Sequence, residues 1–237
     1  MTRTLGFLAL LMAMAMLALP VHADTTITLT SAGSGNVLDN IYTSPYTGTV
    51  GGVANTPIFC DDFADDSFIN ESWSATVSTV ANLAGNAKWA SEPNAQQNYE
   101  IAAWLAEDLL STTNTTDAED ISYAIWLVLD QTGVQTYLTS TDPDAATLSA
   151  AQGWITTAEN AIATQNLTPA DFANVLVYTP VAGTATNCNG GPCPANSPQE
   201  FLVVTPEPGS LLLLLFGLVA LAGFARRRRA AAPWAIN

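Results

Sequence analysis

Between residues 24 and 205 the sequence contains no arginine, no histidine and only one lysine, Lys88. Without histidine, neither a Ser-His-Asp nor a Cys-His catalytic arrangement can form, and zinc sites with imidazole ligands are excluded. Phosphate binding depends on Lys and Arg, so nucleic acids and phosphorylated substrates are not expected as partners. The scarcity of cations therefore removes whole classes of enzymes and the nucleic-acid-binding proteins from consideration.

The same segment is rich in acidic residues. It holds 20 of the chain's 21 Asp and Glu residues against one lysine, a formal net charge of −19, compared with −15 for the whole chain. So acidic a segment can be disordered, but five of the six tryptophans lie in it and its apolar residues recur with regular periods. Its 182 residues suffice for one sizeable core. We therefore predict a single secreted, acidic domain over residues 24–205.

The order of periodic segments predicts an α+β fold, a single compact domain with antiparallel strands and segregated helices. Patterns typical of strands occur in "TITLT", "YTGTVGG" and "SWSATVSTV", and again in "NVLVYTP" and "EFLVV". Helical periodicity lies between these two groups, in "NYEIAAWLAEDLL", in "TDAEDISYAIWLVLD" and in a segment that begins near Asp144. The run from Ile121 to Leu129 is apolar nearly all round, which predicts a central buried helix.

Capping residues also predict where two helical segments begin. Thr116 and Glu119 have the spacing of a capping box, which predicts the start of the central helix. The segment "TPADF" at Thr168 predicts a capped single turn.

The three cysteines cannot all pair with one another, and they are too few for a closed four-cysteine zinc site. Cys188 and Cys193 bracket "NGGP", and this spacing favours a local disulfide in an oxidising exterior. The alternative is a redox-active or metal-binding pair, but no neighbouring cation is present to activate a thiolate. Cys60 is then the odd cysteine and a candidate special thiol, although a buried thiol at a strand end is the simpler interpretation.

The densest acidic cluster follows Cys60 and predicts a solvated loop. A calcium site is the alternative, because calcium accepts six to eight oxygen ligands, but the spacing does not match an EF-hand. The members of the cluster are Asp61, Asp62, Asp65 and Asp66. No other metal and no cofactor is expected, and no pair of carboxylates stands out as acid and base, so we expect no catalysis.

The first 23 residues have the organisation of a secretory signal peptide. Arg3 is followed by an apolar run from Leu5 to Leu19 and then by Val21-His22-Ala23, a small-residue cleavage site. We therefore predict cleavage by signal peptidase after Ala23.

The C-terminal region, "TPEPGSLLLLLFGLVALAGFARRRR", holds most of the chain's positive charge. Residues 209–225 carry no charge and are just long enough to span a membrane. Four arginines follow and predict that residues 230–237 form a cytoplasmic tail, with the acidic domain outside. These are Arg226, Arg227, Arg228 and Arg229.

The tripeptide Pro206-Glu207-Pro208 stands directly before the apolar segment, and its prolines keep the backbone extended. Residues 206–229 contain, in order, this tripeptide, the apolar segment and the arginine cluster, and this arrangement resembles the PEP-CTERM sorting signal of Gram-negative bacteria. The resemblance implies that exosortase, a membrane protease-transpeptidase, recognises Pro206-Glu207-Pro208 and removes the anchor. It also implies export across the inner membrane, a membrane-anchored precursor, and a final place at the cell surface or in the extracellular matrix, with extracellular polysaccharide as a further candidate partner.

Part of the domain also resembles the thioester domains of bacterial surface adhesins. The resemblance rests on "FCDDF" around Cys60 and on Ala124-Ile125-Trp126 about sixty residues later. In those domains a cysteine is bonded to a glutamine two residues before the Ala-Ile-Trp segment, a position that Ser122 holds here. Serine has no carboxamide, so the resemblance implies an adhesin-like binding module without the covalent crosslink. A carboxylate-dependent glycan hydrolase is the third alternative.

Overall fold

Eight strands are found in this computed structural model, which describes residues 24–33, 37–142, 145–195 and 198–205. They are Thr25–Ser31 (β1), Val37–Leu38 (β2), Ile41–Tyr42 (β3), Tyr46–Val50 (β4), Val53–Cys60 (β5), Ser72–Thr79 (β6), Val175–Pro180 (β7) and Phe201–Val204 (β8). Six of them close into an antiparallel barrel in the order β1-β4-β5-β8-β7-β6, while β2 and β3 form a separate hairpin. Closure gives every barrel strand two neighbours, so the barrel has no free edge.

The four helices of the described residues all lie in the chain between β6 and β7. They are Ala95–Ser111 (α1), Thr115–Leu129 (α2), Gln131–Thr141 (α3) and Ala146–Gln165 (α4). Helices α1, α2 and α4 pack on one another, α1 also contacts β8, and α2 also contacts β5. The helices therefore cover the side of the barrel that β5 and β8 form.

This covering explains the sequences of the two strands. Ile58, Phe59 and Cys60 are consecutive and fully buried, as are Phe201 and Leu202, because one face of each strand looks into the barrel and the other meets the helices. In β4, by contrast, buried and half-buried residues alternate. Trp73 of β6 stacks on Phe201 at 5.8 Å between ring centroids, which links the two sides of the barrel through its buried face.

The predicted fold class, with antiparallel strands and helices segregated along the chain, is confirmed. Each strand and helix predicted within residues 24–205 has a counterpart, the central helix α2 is buried over most of its length, and the turn at Pro169–Phe172 has the capping box between Thr168 and Asp171. The predicted start of α2 is wrong. Asn114 is the residue that caps it, since its side chain accepts a hydrogen bond from the backbone N–H of Thr116.

Helix α3 has no counterpart among the sequence predictions. Its sequence, "QTGVQTYLTST", has four threonines and a glycine, and only Val134 and Leu138 are buried. So weak an apolar stripe gives no helical period to detect. The predicted signal peptide (1–23) and C-terminal apolar helix (209–225) lie outside the described residues; among the helices that are described, none is long and apolar enough to cross a membrane.

Two leucines on α1 give a matched test of this packing. Leu105 is fully buried whereas Leu110 is 46 % exposed. We expect Leu105→Ala to lower the free energy of unfolding by about 2 to 5 kcal/mol through lost burial and a residual cavity. Leu110→Ala should change it by less than about 0.5 kcal/mol. Urea unfolding followed by tryptophan fluorescence measures both, and equal effects of the two substitutions would contradict the assigned helix face.

Candidate functional site around Cys60 and the acidic loop

The acidic segment after β5 is not the solvated loop that its composition predicts. Asp61 is fully buried and Asp62 is 1 % exposed, whereas Asp66 faces solvent. The physical reason is that the chain leaves β5 toward the start of β8 and passes beneath Trp89, whose indole N–H donates to the carbonyl of Asp61. The two aspartates that come first are therefore enclosed by the barrel and its helices.

Asp62 organises this segment through hydrogen bonds to both carboxylate oxygens. Its Oδ1 accepts from the backbone N–H groups of Ala64 (3.0 Å) and Asp65 (3.3 Å), and its Oδ2 accepts from the N–H of Glu200 (3.3 Å). Its Oδ1 also pairs with the ammonium group of Lys88. Burial raises the pKa of Asp62 to about 6, although the attraction of Lys88 opposes the rise.

Lys88, the one cation of the domain, lies between two of the predicted calcium ligands. Its Nζ pairs with Asp62 and, at 2.7 Å, with Asp65 Oδ2, and it lies 5.4 Å from the centre of the Trp89 ring. Burial lowers the pKa of Lys88, but the two carboxylates raise it more, so the net shift is upward. A calcium ion between these two aspartates would have to displace the ammonium group, and calcium binding at Asp61, Asp62, Asp65 and Asp66 stays a prediction.

Another buried carboxylate, Glu200, lies beside Asp61 and Asp62. Its Oε1 accepts from the Tyr99 hydroxyl at 2.5 Å, and its Oε2 accepts from the Thr179 hydroxyl at 2.5 Å and from the backbone N–H of Lys88 at 3.0 Å. Residues from α1, β7 and the segment before α1 thus converge on the residue that precedes β8.

Asp61 is the third buried acid of this cluster, beside Asp62 and Glu200. Burial raises the pKa of Asp61 well above its usual range, and the negative charges of Glu200 and Asp62 raise it further. A protonated Asp61 can donate a hydrogen bond to Glu200, and both side chains are fully buried in the core.

Cys60 is a free thiol at the buried end of β5. Its thiol donates to the carbonyl of Asp62 at 3.2 Å, and its backbone N–H donates to Ser44 Oγ at 3.0 Å. The N–H of Ser44 in turn donates to Ser122 Oγ at 3.0 Å, and this hydroxyl donates to the carbonyl of Ala118. Ser44 thus joins Cys60 to Ser122, so the two residues that the thioester-domain resemblance singles out lie close together.

The thiol environment disfavours ionisation. Burial raises the pKa of Cys60 well above its usual range, and the negative charge of Asp62 raises it further. The backbone of Asp62 opposes the rise in the pKa of Cys60 without cancelling it. Burial and the raised pKa therefore both favour the protonated thiol of Cys60 over the reactive thiolate.

The other two cysteines, Cys188 and Cys193, form a disulfide in the segment between β7 and β8. Cys188 Sγ lies 3.1 Å from Oε1 of the buried Glu71, and with both sulfurs this carboxylate forms a group whose atoms lie within 4.8 Å of one another. Because the sulfurs are bonded to each other, they are not available as thiolate ligands, and the group serves to fasten the loop against the start of β6.

Sequence reasoning located Cys60 and the four aspartates but missed Glu200, Tyr99 and Ser44. Glu200 has a detectable signal, since it is a carboxylate at the head of the apolar strand "FLVV", where an unpaired charge would be costly. Tyr99 and Ser44 have no such signal, because their roles depend on contacts across more than 70 residues of chain.

A comparison with known protein families identifies one match. Residues 204–229 match the PEP-CTERM protein-sorting motif. No curated protein and no solved structure matches the chain. The matched range contains Pro206-Glu207-Pro208 and the arginine cluster, so the sorting motif expected from the sequence is confirmed.

The chain is therefore an exported protein of the exosortase-sorted class. Its sorting motif implies a membrane-anchored precursor and processing by exosortase. The folded acidic domain lies before Pro206-Glu207-Pro208 in the chain, and its last strand ends at the first residue of the matched range.

The raised pKa values of Asp61 and Asp62 predict the pH dependence of stability. A carboxyl group whose pKa is higher in the folded than in the unfolded state binds its proton more tightly in the folded state. Its contribution to stability is fully present below the unfolded pKa, about 3.9. The contribution is lost as the pH rises through the folded-state pKa, which is about 6 for Asp62. We expect the free energy of unfolding at pH about 4.5 to exceed that at pH about 7.5 by on the order of 2 kcal/mol.

The substitution Asp61→Asn separates this cluster from the general charge of the domain. An asparagine amide can donate to Glu200 as the protonated carboxyl does, so the difference between the two pH values should shrink. Asp24→Asn removes an exposed charge and serves as the control, which should leave the difference almost unchanged. Thermal unfolding at each pH measures the effect, and an identical pH profile in both variants would contradict the cluster's role.

A second prediction concerns Cys60. We expect the folded protein to take up no maleimide, and the urea-unfolded protein to take up one equivalent without reductant, because the other two cysteines are in a disulfide. Cys60→Ser should abolish the labelling of the unfolded protein. In intact-mass measurement, a mass lower by one ammonia would reveal a thioester and overturn the assignment of a free thiol.

Proposed function

We propose that the domain over residues 24–205, once exported and released by exosortase, is a non-catalytic component of the cell surface or extracellular matrix, associated with biofilm exopolysaccharide. The observation that carries the proposal is the sorting motif at residues 204–229. We place the protein in a Gram-negative bacterium, with signal peptidase acting after Ala23 and the C-terminal helix as the temporary anchor.

The charge of the domain fits an extracellular role. A formal net charge of −19 keeps the protein soluble and repels anionic polymers unless divalent cations bridge them. The disulfide between Cys188 and Cys193 suits an oxidising compartment.

The absence of catalysis is part of the proposal. Asp61 and Glu200 are both fully buried, and Asp62 is paired with Lys88. A glycan hydrolase needs one carboxyl group as acid and another as base or nucleophile, both in contact with the sugar. The buried pair cannot make that contact in this conformation, which disfavours the hydrolase alternative.

The second candidate function is an adhesin-like binding module related to thioester domains but lacking the crosslink. The observation in its favour is the short connection from Cys60 through Ser44 to Ser122, directly before Ala124-Ile125-Trp126. In this case the domain would recognise a glycan or protein through surface contacts alone.

Fractionation of the host tests the principal proposal. The wild-type protein should be enriched in the extracellular-matrix fraction. Its intact mass should show that the residues after the processing site have been removed. Replacement of Pro206-Glu207-Pro208 by three alanines should retain the protein, at its full precursor length, in the membrane fraction. Deletion of the exosortase should have the same effect as the alanine substitution.

A matched control distinguishes sorting from folding. Leu110→Ala alters an exposed residue of the folded domain and should leave both length and fraction unchanged. Recovery of the wild-type protein from the cytosol, or unchanged processing of the triple-alanine variant, would refute the proposal.

A further inference from the structure

A groove of about 670 Å³ opens beside the acidic loop. It lies between the end of β1, the β2–β3 hairpin, the segment that follows Cys60 and the disulfide loop. Its volume falls within the range of small-ligand sites, about 300 to 1,000 Å³.

Aromatic side chains form the floor of this groove. Trp126 and Tyr46 are buried, and Phe63 packs on the ring of Trp126 at 5.4 Å between centroids. The Tyr46 hydroxyl donates to the carbonyl of Tyr42 at 2.5 Å, which fixes the hairpin against the floor. Helix α2 and strand β4 thus provide a rigid base.

The rim carries large apolar side chains that nothing covers in the described residues. Tyr42 is 56 % exposed and Ile69 is 44 % exposed, and both line the groove. Val37, which is 46 % exposed, pairs with Tyr42 across the hairpin and so lies on the same face. Two of the five exposed large hydrophobic residues of the described chain therefore line the groove, and a third is the hairpin partner of one of them; exposed apolar groups gathered in this way are typical of interaction surfaces.

Amides and a carboxylate stand among these apolar groups. Asn40 and Asn189 are both exposed at the groove and hold left-handed backbone conformations, with φ of 67° and 53°. Gln199 anchors its amide on the carbonyl of Asp62 at 2.8 Å, and Asp66 is exposed at the edge. The groove therefore offers ring faces together with planar donors and acceptors.

The charge of the site limits what can occupy it. The groove has no Lys, Arg or His among its lining residues, and the domain around it has a net charge of −19. An anionic polymer would be repelled, and no cation is placed to pair with it. A neutral ligand with apolar faces and many hydroxyl groups meets no such repulsion and can use both the rings and the amides.

We propose that this groove, formed by Tyr42, Tyr46, Phe63, Trp126, Asn40 and Asn189, binds a neutral polysaccharide, with Tyr42 stacking on a sugar ring. The inference rests on the proposed extracellular-matrix function and deepens it by naming the class of partner. Asn189 donates to and accepts from sugar hydroxyls, and the floor excludes water from the bound ring.

Affinity electrophoresis of the exported protein in native gels tests the proposal. The gels contain hydroxyethyl cellulose, dextran, galactomannan or the neutral polysaccharide fraction of the host's own matrix, with alginate as the anionic comparison. We expect at least one neutral polymer to retard the wild-type protein and alginate to have no effect. Tyr42→Ala and Asn189→Gly should each weaken binding about tenfold or more.

Matched variants separate binding from folding. Tyr42→Phe keeps the ring and should retain binding. Val53→Ala shortens a side chain that is 65 % exposed at the end of β5 remote from Cys60, and should have no effect. Glycine tolerates the left-handed backbone at position 189, so Asn189→Gly removes the amide without backbone strain. Thermal unfolding of each variant confirms that the fold is kept.

Three outcomes would overturn the proposal. One is that no neutral polymer retards the wild-type protein; another is that retardation is unaffected by both groove substitutions. The third is that oligolysine binds in a Tyr42-dependent manner while the neutral polymers do not, which would assign the groove to a basic peptide. If any of these results is found but the wild-type protein is still enriched in the matrix fraction, the proposed function stands and only the groove assignment fails. If the protein binds a neutral polymer through the groove but is not enriched in the matrix, the groove assignment stands and the proposed function fails.

Discussion

The fold depends on one buried electrostatic constraint, the accommodation of the carboxyl groups of Asp61, Asp62 and Glu200 inside the core. Burying three carboxyl groups is affordable to a domain of this size only if each is protonated, hydrogen-bonded or paired with a cation. Here burial favours the protonated form of Asp61, three donors serve Glu200, and the domain's one lysine serves Asp62. Because these groups come from the segment after β5, from β7, from α1 and the segment before it, and from the residue before β8, the cluster fixes how the barrel meets its helices.

That constraint also explains why the neighbouring surface is polar yet well ordered. Asp62 holds the segment up to Asp65 through backbone hydrogen bonds, and Gln199 is fastened to the Asp62 carbonyl. The same segment supplies Phe63 to the aromatic floor of the groove, where it contacts Trp126. The same short segment therefore contributes to both the buried acid cluster and the exposed groove. The position of the Phe63 ring in the groove follows from the way Asp61 and Asp62 are buried.

Much of the layout could be predicted because each element carried its own period or cap. The buried run Ile121–Leu129 and the box at Thr168 are local signals that tertiary contacts did not override. Barrel closure could not be predicted, since the pairing of β1 with β6 is a long-range choice that neither strand encodes alone. The burial of Asp61 and Asp62 could not be predicted for a related reason: composition favours solvent for four aspartates, and the contacts that Asp62 makes with Lys88 and with the backbone of Glu200 arise only from the fold.

The last strand has a consequence for maturation. Val204, the final residue of β8, is also the first residue of the sorting motif, and Thr205 is tied to the carbonyl of Asn174 by its backbone and its hydroxyl. An extended residue spans only about 3.3 Å, so almost no slack separates the rigid barrel from the tripeptide to be cut. A protease that cuts at this tripeptide therefore has to work close to the folded barrel, so the shape of the barrel surface around the end of β8 affects its access.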